Sequence, residues 1–177
     1  MKLLVHCCCA PCAVKTVEFF KKYNETSVFF YNPNIHPYKE YKNRLSSLKE
    51  YCKKFNLEIF VEDFYGLRYF IKGLNNDFVN RCYFCYKDRL LKTATFAKTA
   101  GFEAFSTSLL YSPFQQHEKI KQIAELIAKD IGVIFLYEDL RGFYRAGQKK
   151  ARELGIYMQK YCGCIFSEQE RYLKEYY

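Results

Sequence analysis

The chain has 177 residues, half of them hydrophobic and 27% charged, which is typical of one globular domain covering residues 1–177. The formal net charge of +9 favours an anionic partner such as nucleic acid. The sequence shows no secretory signal pattern and no apolar stretch long enough to cross a bilayer, so we expect a cytoplasmic location and no membrane partner.

Short apolar segments alternate with amphipathic segments along the chain. The apolar segments predict five strands, namely Lys2–His6, Ser27–Tyr31, Leu57–Val61, Ala104–Leu110 and Val133–Tyr137. The amphipathic segments predict helices at Ala13–Tyr23, Tyr38–Phe55, within 65–80, Arg81–Thr99, Gln116–Ile131, Tyr144–Leu154 and Ser167–Tyr176. This alternation predicts an α/β fold, with a doubly wound parallel sheet of about five strands and helices on both faces.

Unusual sequence motifs follow four of the predicted strands. They read "HCCCAPC", "YNPNIHP", "TSLLYSPF" and "YEDLRGFYR". In an open α/β sheet, ligands bind in the crevice outside the carboxyl ends of the strands. We therefore expect these four loops to converge on one site.

The first motif carries Cys7, Cys8, Cys9 and Cys12, where a nucleotide-binding α/β protein has its phosphate loop. A phosphate loop needs glycines so that backbone N–H groups can approach the phosphate, and this loop has none. It offers thiols instead, at the positive end of the following helix, where thiolates are favoured. The motif therefore indicates metal or redox chemistry rather than nucleotide binding.

Two further cysteine pairs occur later in the chain. Cys82 and Cys85 form a C-x-x-C near a helix start, and Cys162 and Cys164 form a C-G-C. Cys52, in contrast, lies on the apolar stripe of a predicted helix and reads as a small core residue. Three thiol groups far apart in sequence favour a cofactor at an active site over a local structural zinc knuckle or incidental core cysteines. Eight candidate thiols exceed the four that one cluster needs, which leaves room for a second metal or a redox dithiol.

Several longer motifs resemble one family. They are "CCAPC", "YNPNIHP" with "KEY", "RCYFCYKDRL", "TSLLYSPFQ" and "YCGCIFS", and they resemble the QueH-type epoxyqueuosine reductases over nearly the full length. The resemblance implies a fold similar to the adenine-nucleotide alpha-hydrolase-like (HUP) sheet. It also implies reduction of epoxyqueuosine in tRNA to queuosine, the last step of that modification pathway, without cobalamin. The implied cofactors are a [4Fe-4S] cluster and an additional mononuclear iron.

The same resemblance implies roles for individual cysteines. Cys8 and Cys9, with Cys82 and Cys85, match the cluster ligands. Cys162 and Cys164 match a redox-active pair or ligands of the neighbouring metal, and Cys12 lies in the family motif as a further candidate at the reaction centre. Cys7 extends the family's run of two cysteines to three, so we expect it to be a bystander.

Polar residues near the strand ends are candidates for the remaining roles. His36 is a candidate proton donor, or alternatively a turn histidine bonded to backbone. Asp139 is a candidate metal ligand or substrate-orienting group and Arg141 a candidate substrate contact; a structural ion pair is the alternative for both. Gln115, Tyr31 and Asn32 are further candidates for substrate binding; Gln115, with the adjacent Gln116, could instead cap a helix.

Dense basic groups interleaved with Tyr and Phe are typical of an RNA-binding surface, and the resemblance implies that the RNA is the anticodon loop of tRNA. The basic residues are Lys39, Lys42, Arg44, Lys87, Arg89, Lys92, Arg145, Lys149, Lys150 and Arg152. Solvated helix faces and core aromatics are the alternative reading. Reduction would also need an external electron donor. Two other functions remain open: an iron–sulfur tRNA sulfur-transfer enzyme, which would need ATP and a glycine-containing loop, and a non-catalytic zinc-stabilised RNA-binding module.

Overall fold

A computed structural model describes residues 1–173 and contains a five-stranded sheet in which every paired strand is parallel. The strands are β1 (Lys2–His6), β2 (Glu25–Phe30), β3 (Ile59–Val61), β4 (Ala104–Thr107) and β5 (Ile134–Phe135). Their order across the sheet is β3-β2-β1-β4-β5. The predicted parallel α/β sheet is confirmed.

Seven α-helices connect or follow the strands in the described residues. They are α1 (Ala10–Phe20), α2 (Tyr38–Lys54), α3 (Leu67–Gly73), α4 (Arg81–Thr99), α5 (His117–Ile131), α6 (Tyr144–Glu153) and α7 (Ile165–Tyr172). Short 3-10 helices cover Ser108–Tyr111 and Arg141–Phe143. None of the helices within residues 1–173 has both the length and the hydropathy that crossing a membrane requires.

The helices cover both faces of the sheet, as two adjacent strand residues demonstrate. The Phe29 ring stacks on Phe96 of α4 with centroids 4.7 Å apart, whereas the Phe30 ring contacts Tyr41 of α2 at 5.5 Å. Successive side chains of a strand point to opposite faces, so α2 and α4 lie on opposite sides of the sheet. Helix α1 packs with α2 and α6, and α4 packs with α5.

Strand β1 lies at the centre of the sheet and sets the position of the site. Its Leu3, Leu4 and Val5 are fully buried, as expected for a strand covered on both faces. The strand order reverses at β1: β2 and β3 lie on one side, and β4 and β5 on the other. The loops that leave β1 and β4 therefore diverge to opposite faces and open a crevice at the carboxyl edge of the sheet.

Several element boundaries differ from the sequence prediction, and each difference has a local cause. Helix α1 begins at Ala10 rather than Ala13, because Cys9 ends the extended backbone (φ −168°, ψ 161°) and Pro11 fits the first helical turn. Strand β4 ends at Thr107 rather than Leu110, because the Thr107 hydroxyl accepts the Leu109 N–H at 3.1 Å and starts a 3-10 helix.

The remaining differences shorten strands or move helix starts. Strands β3 and β5 pair over only three and two residues, since both lie at the edges of the sheet. Helix α7 begins at Ile165 rather than Ser167, where the Cys164 sulfur accepts the Ser167 N–H at 3.4 Å and caps the helix. The predicted end of this helix at Tyr176 lies outside the described residues.

Candidate active site

The loop after β1 is built without glycine and is fixed at both ends. The Cys7 N–H donates to the Phe29 carbonyl at 2.9 Å, which extends the β1–β2 pairing by one residue. Two residues later Cys9 becomes the N-cap of α1, and its carbonyl accepts the Ala13 N–H at 3.2 Å. Only Cys8 lies between strand and helix. The turn is therefore short, and the thiols that it carries have little freedom to move.

This turn and the first turn of α1 form a compact thiol group. The sulfurs of Cys8, Cys9 and Cys12 all lie within 4.8 Å of one another, and all three residues are buried. Hydrogen bonds from the Cys12 and Cys9 thiols, helped by nearby Arg44 and Arg89, hold the pKa of Cys8 well below its usual value. Burial raises the pKa of Cys9. Three soft ligands at this spacing could hold a metal ion.

A second thiol group forms from two pairs that are distant in sequence. Cys82 and Cys85 lie in the first turns of α4, and Cys162 and Cys164 lie just before α7. Cys85 and Cys164 pack in one apolar cluster with Phe70. Burial raises the pKa of Cys85, and the nearby Cys162, Cys164 and Cys82 thiols raise it further. The fold therefore brings the C-x-x-C and the C-G-C together.

Arg89 links the two thiol groups from inside the protein. Its side chain is only 2% exposed. One guanidinium nitrogen, Nη2, lies 3.0 Å from the Cys85 sulfur, Nε–H donates to the Cys85 carbonyl at 3.0 Å, and Nη1 lies 3.5 Å from Asn32 Oδ1. Within residues 1–173 it makes no ion pair with a carboxylate. Burial opposes its charge, yet the Cys85 and Cys8 thiols keep its pKa above the usual value. Of these two thiols, Cys8 has the lowered pKa and is therefore the one suited to offset the charge of Arg89.

Arg44, in α2, holds the segment that carries the C-G-C. It is 1% exposed, and its Nε–H donates to Glu40 at 2.6 Å. The two terminal nitrogens donate to the carbonyls of Tyr161 and Cys162, each at 2.9 Å. Gly163 has φ 143°, and a Cβ there would lie 3.2 Å from Arg44 Nη1. The positive φ and the nearby guanidinium both favour glycine between the two cysteines.

A cavity of about 330 Å³ opens beside the first thiol group, between the loops that follow β1 and β4. It occupies the crevice at which the strand order reverses, the position where α/β sheets bind ligands. Its lining residues are Cys8, Cys12, Ser108, Leu109, Ser112, Phe114, Gln115, Tyr144, Gln148, Gln159, Lys160, Tyr161, Cys162 and Arg171. Of the candidates from the sequence, Cys8, Cys12, Gln115 and Cys162 lie on its wall.

Gln115 is held in place at this wall by both ends of its amide. Its Nε2 lies 3.3 Å from the Cys162 sulfur, and its Oε1 accepts the Tyr86 hydroxyl at 2.8 Å. The neighbouring Gln116 is the N-cap residue of α5, and its backbone N–H donates to the Tyr86 oxygen at 3.2 Å. The two glutamines therefore divide the roles that the sequence left open: Gln115 faces the cavity, and Gln116 begins a helix.

His36 lies away from the cavity wall and is fully buried. Its Nδ1 accepts the Ile165 N–H at 3.3 Å, and its Nε2–H donates to the Pro33 carbonyl at 3.1 Å. Burial lowers its pKa to about 4, so the ring is neutral near neutral pH. Its backbone N–H donates to the Gly163 carbonyl at 2.8 Å. In this arrangement His36 supports the C-G-C segment.

The other polar candidates also lie off the cavity wall. Asp139 and Arg141 form an exposed ion pair with a shortest distance of 2.6 Å, and the hydrogen bonds from Arg141 lower the Asp139 pKa to about 2. Asn32 is buried under the cysteine loop, where it donates to the Cys7 carbonyl at 3.0 Å. Tyr31 is buried beside it, and its carbonyl lies 3.3 Å from His6 Nε2.

Some residues have a different place from the one that the sequence suggested. The prediction that Arg44 and Arg89 contact RNA is wrong, because both are buried. Arg44 lies three residues after Tyr41 on the apolar stripe of α2, and Arg89 lies four residues after Cys85 on α4, so helical spacing could have revealed both. Gln148 and Gln159 were missed, since no motif marks them, and Tyr144 was not singled out although it lies in the motif "YEDLRGFYR". Cys7 and Cys52 are fully buried and are not among the three grouped thiols.

Comparisons with known proteins agree over nearly the whole chain. The family model described as epoxyqueuosine reductase QueH matches residues 3–170. A relative of that name from Dehalococcoides mccartyi is 38% identical over 98% of this chain and 96% of its own length. One from Thermotoga maritima is 35% identical over 96% of this chain and 91% of its own length. One from Acinetobacter baylyi is 34% identical over 94% of this chain and 80% of its own length.

Proposed function

This chain belongs to the QueH family of epoxyqueuosine reductases, and from that premise we propose how its residues remove the epoxide oxygen of epoxyqueuosine in tRNA. The reaction converts an epoxide to an alkene and releases the oxygen as water, which takes two electrons and two protons. The observation that carries the proposal is the cavity at the carboxyl edge of the sheet. Thiols from both groups, Cys8 and Cys12 from one and Cys162 from the other, lie on its wall.

The donor chemistry of these residues fits an iron–sulfur cluster. Thiolate sulfurs are the usual ligands of such clusters, and the buried cations Arg44 and Arg89 offset the negative charge that they carry. We assign Cys8, Cys9, Cys82 and Cys85 as ligands of a [4Fe-4S] cluster, with Cys12 as the alternative ligand beside Cys8 and Cys9. A bound cluster supplies electrons one at a time, and an additional iron beside it would polarise the epoxide oxygen as a Lewis acid.

Cys162 and Cys164 are assigned to the electron supply. Oxidation of these two thiols to a disulfide releases two electrons and two protons, which balances the loss of one water from the epoxide. An external electron donor then reduces the disulfide. The Cys162 thiol is exposed at the cavity wall, and the Gln115 amide holds that sulfur in position. Ligation of the additional iron is the alternative role, in which both sulfurs stay reduced throughout turnover.

The substrate is proposed to reach this cavity as an unpaired base of the anticodon loop. Extrusion of such a base costs less than extrusion from a duplex. Exposed cations that the sequence singled out, including Lys39, Lys87, Arg145 and Arg152, remain available for backbone phosphates. A tRNA substrate is also consistent with the cytoplasmic location that the sequence predicts.

The proposal is tested on anaerobically purified protein. The protein should be brown and contain iron and acid-labile sulfide. Incubation with epoxyqueuosine-containing tRNA and a strong reductant, followed by digestion and mass spectrometry, should show a nucleoside lighter by one oxygen atom. If cluster-loaded protein forms no queuosine, the proposed reaction is wrong.

Two variants make the test specific for the thiols. Cys82→Ala should abolish cluster assembly, whereas Cys52→Ala, which removes a buried thiol in α2, should leave iron content and activity intact.

A colourless protein that holds only zinc would favour a structural zinc module. ATP-dependent sulfur transfer is disfavoured because the loop from Cys7 to Cys12 contains no glycine for a phosphate. Trapping of free thiols with iodoacetamide before and after one turnover separates the two roles of Cys162 and Cys164.

A further inference from the structure

The cavity lining includes aromatic and cationic side chains that the electron chemistry does not use. Phe114 is 80% exposed, although it follows a well-buried 3-10 helix and lies next to Gln115 at the cavity wall. Tyr144, Lys160 and Arg171 also line the cavity. None of the fourteen lining residues is acidic. This combination calls for a ligand that is both aromatic and anionic.

The aromatic side chains form a continuous row from the core to the surface. Tyr111 is fully buried, and its ring centroid lies 5.4 Å from that of Tyr144. The Tyr111 hydroxyl also donates to the Tyr144 carbonyl at 2.8 Å. The Phe114 ring then meets the Tyr144 ring edge to face at 5.7 Å and 84°. Tyr144 therefore supports one side of the Phe114 ring, and the rest of the ring is exposed to the cavity and solvent.

The loop that carries Phe114 is held by its own hydrogen bonds. The Phe114 N–H donates to the Ser112 hydroxyl at 3.3 Å, and the Gln115 N–H donates to the Ser112 carbonyl at 3.3 Å. Because Tyr86 fixes the Gln115 side chain, the Phe114 position is set relative to the Cys162 sulfur. A ring held in this way loses little entropy when a flat ligand stacks on it.

Polar lining groups supply the rest of a nucleotide site. Gln115, Gln148 and Gln159 offer amides that can bond to the edge of a base. The Gln159 Oε1 is buried and accepts no hydrogen bond within the described residues. Lys160 and Arg171 are exposed and make no ion pair within residues 1–173. Their charge suits a phosphate group.

We propose that Phe114 and Tyr144 form the surface on which the extruded base of the RNA substrate stacks, while Lys160 and Arg171 bind its backbone phosphate. This base-stacking subsite rests on the proposed function and names the residues that would bind its substrate. The cavity volume lies at the lower end of the range for small-ligand sites, which suits one nucleoside. The stacked base would extend its substituent toward Cys162, beside which Gln115 is fixed.

The stacking half is tested with cluster-loaded Phe114→Ala and Phe114→Tyr proteins. Binding of epoxyqueuosine-containing tRNA is measured by fluorescence anisotropy at fixed salt. Loss of the ring should weaken binding about tenfold, and the tyrosine variant should restore it. Leu126→Ala is the matched control, since Leu126 is 64% exposed on α5 and does not line the cavity. Equal dissociation constants for Phe114→Ala and Leu126→Ala would overturn the proposal.

The phosphate half is tested with a Lys160→Met, Arg171→Met double variant. The slope of log binding constant against log salt should fall by about two relative to the native protein, about one per cation. Lys129→Met, at an exposed residue of α5 outside the cavity lining, is the control and should leave the slope unchanged. An unchanged slope in the double variant would overturn this half.

The outcomes separate this proposal from the proposed reaction. If native protein binds tRNA in a Phe114-dependent way but forms no queuosine, the reaction assignment fails and the base-stacking subsite stands. If native protein forms queuosine and Phe114→Ala binds and reacts as well as native protein, the subsite fails and the reaction stands. Iron content of every variant should equal that of native protein, because none of these residues is a proposed ligand.

Discussion

The two loops that bring thiols to the cavity are held in different ways. The loop from Cys7 to Cys12 is fixed by its own backbone, through a strand bond to Phe29 at one end and the first turn of α1 at the other. The segment from Tyr161 to Cys164 belongs to no strand. Distant residues hold it instead: the Arg44 side chain donates to two of its carbonyls, and the His36 backbone N–H donates to a third.

This difference separates a rigid thiol set from one whose position depends on a buried ion pair. Secondary structure fixes Cys8, Cys9 and Cys12, so their spacing follows from β1 and α1 alone. The spacing of Cys162 and Cys164 depends on the Arg44–Glu40 pair, which lies in α2 on one face of the sheet. A fixed set suits permanent metal ligands, and a separately held pair suits thiols that change state during a reaction.

Replacing a thiol of the first loop should have the largest effect on iron content and activity. Cys8→Ser removes a thiol from the compact group and offers a harder oxygen ligand in its place. We expect iron content to fall to near zero and activity to fall by about two orders of magnitude or more, since even changes around metal ligands cost 10- to 100-fold. Iron analysis and queuosine formation measure both, and circular dichroism checks the fold. Retention of iron at the native level would exclude Cys8 as a ligand.

Breaking the support of the second loop should have the next largest effect. Arg44→Met leaves Glu40 buried with only its hydrogen bond from Tyr157 and frees two carbonyls, so we expect unfolding to cost about 3–5 kcal/mol less. Urea denaturation measures this. The Cys162 thiol should also react faster with a thiol reagent. Lys42→Met removes the partly exposed pair with Asp63 and should cost less than about 1 kcal/mol. If Arg44→Met and Lys42→Met lower the free energy of unfolding equally, the burial of Arg44 contributes nothing to stability.

The two loops were not equally predictable from sequence. The bounds of β1 and α4 were predicted correctly, because each depends on a local hydrophobic pattern. The position of the thiol loop after β1 followed directly, since the carboxyl edge of a parallel sheet is a general ligand site. Its length and the absence of glycine were also visible in the sequence.

The two buried arginines, of which Arg44 supports the second loop and Arg89 contacts Cys85, were not predicted. Arg44 and Arg89 were assigned to the RNA surface because both lie in basic segments, and a charge count does not reveal which cations are buried. Their partners, the carbonyls of Tyr161 and Cys162 and the Cys85 sulfur, are fixed by tertiary packing. Gln148 and Gln159 belong to different segments that meet only in the folded cavity, so no local pattern marks them.

Gly163 offers a milder way to disturb the second loop. Gly163→Ala places a Cβ at φ 143°, a region that residues with a side chain rarely adopt, and 3.2 Å from Arg44 Nη1 and Ile35. We expect a loss of about 1–3 kcal/mol in urea denaturation. Gly142→Ala is the control, because nothing lies within 4 Å of a Cβ there; it should change stability by less than about 0.5 kcal/mol. A neutral Gly163→Ala would mean that the loop has room to adjust.

The smallest effect should come from Cys7, which shares the first loop but not its proposed chemistry. Its side chain is fully buried, outside the group formed by Cys8, Cys9 and Cys12. Cys7→Ala should therefore cost only about 1 kcal/mol, the value of one buried heavy atom, and leave iron content at the native level. Cys52→Ala, another fully buried thiol, should behave alike. If Cys7→Ala loses iron while Cys52→Ala does not, the ligands begin one residue earlier, and the strand bond at Cys7 positions a ligand directly.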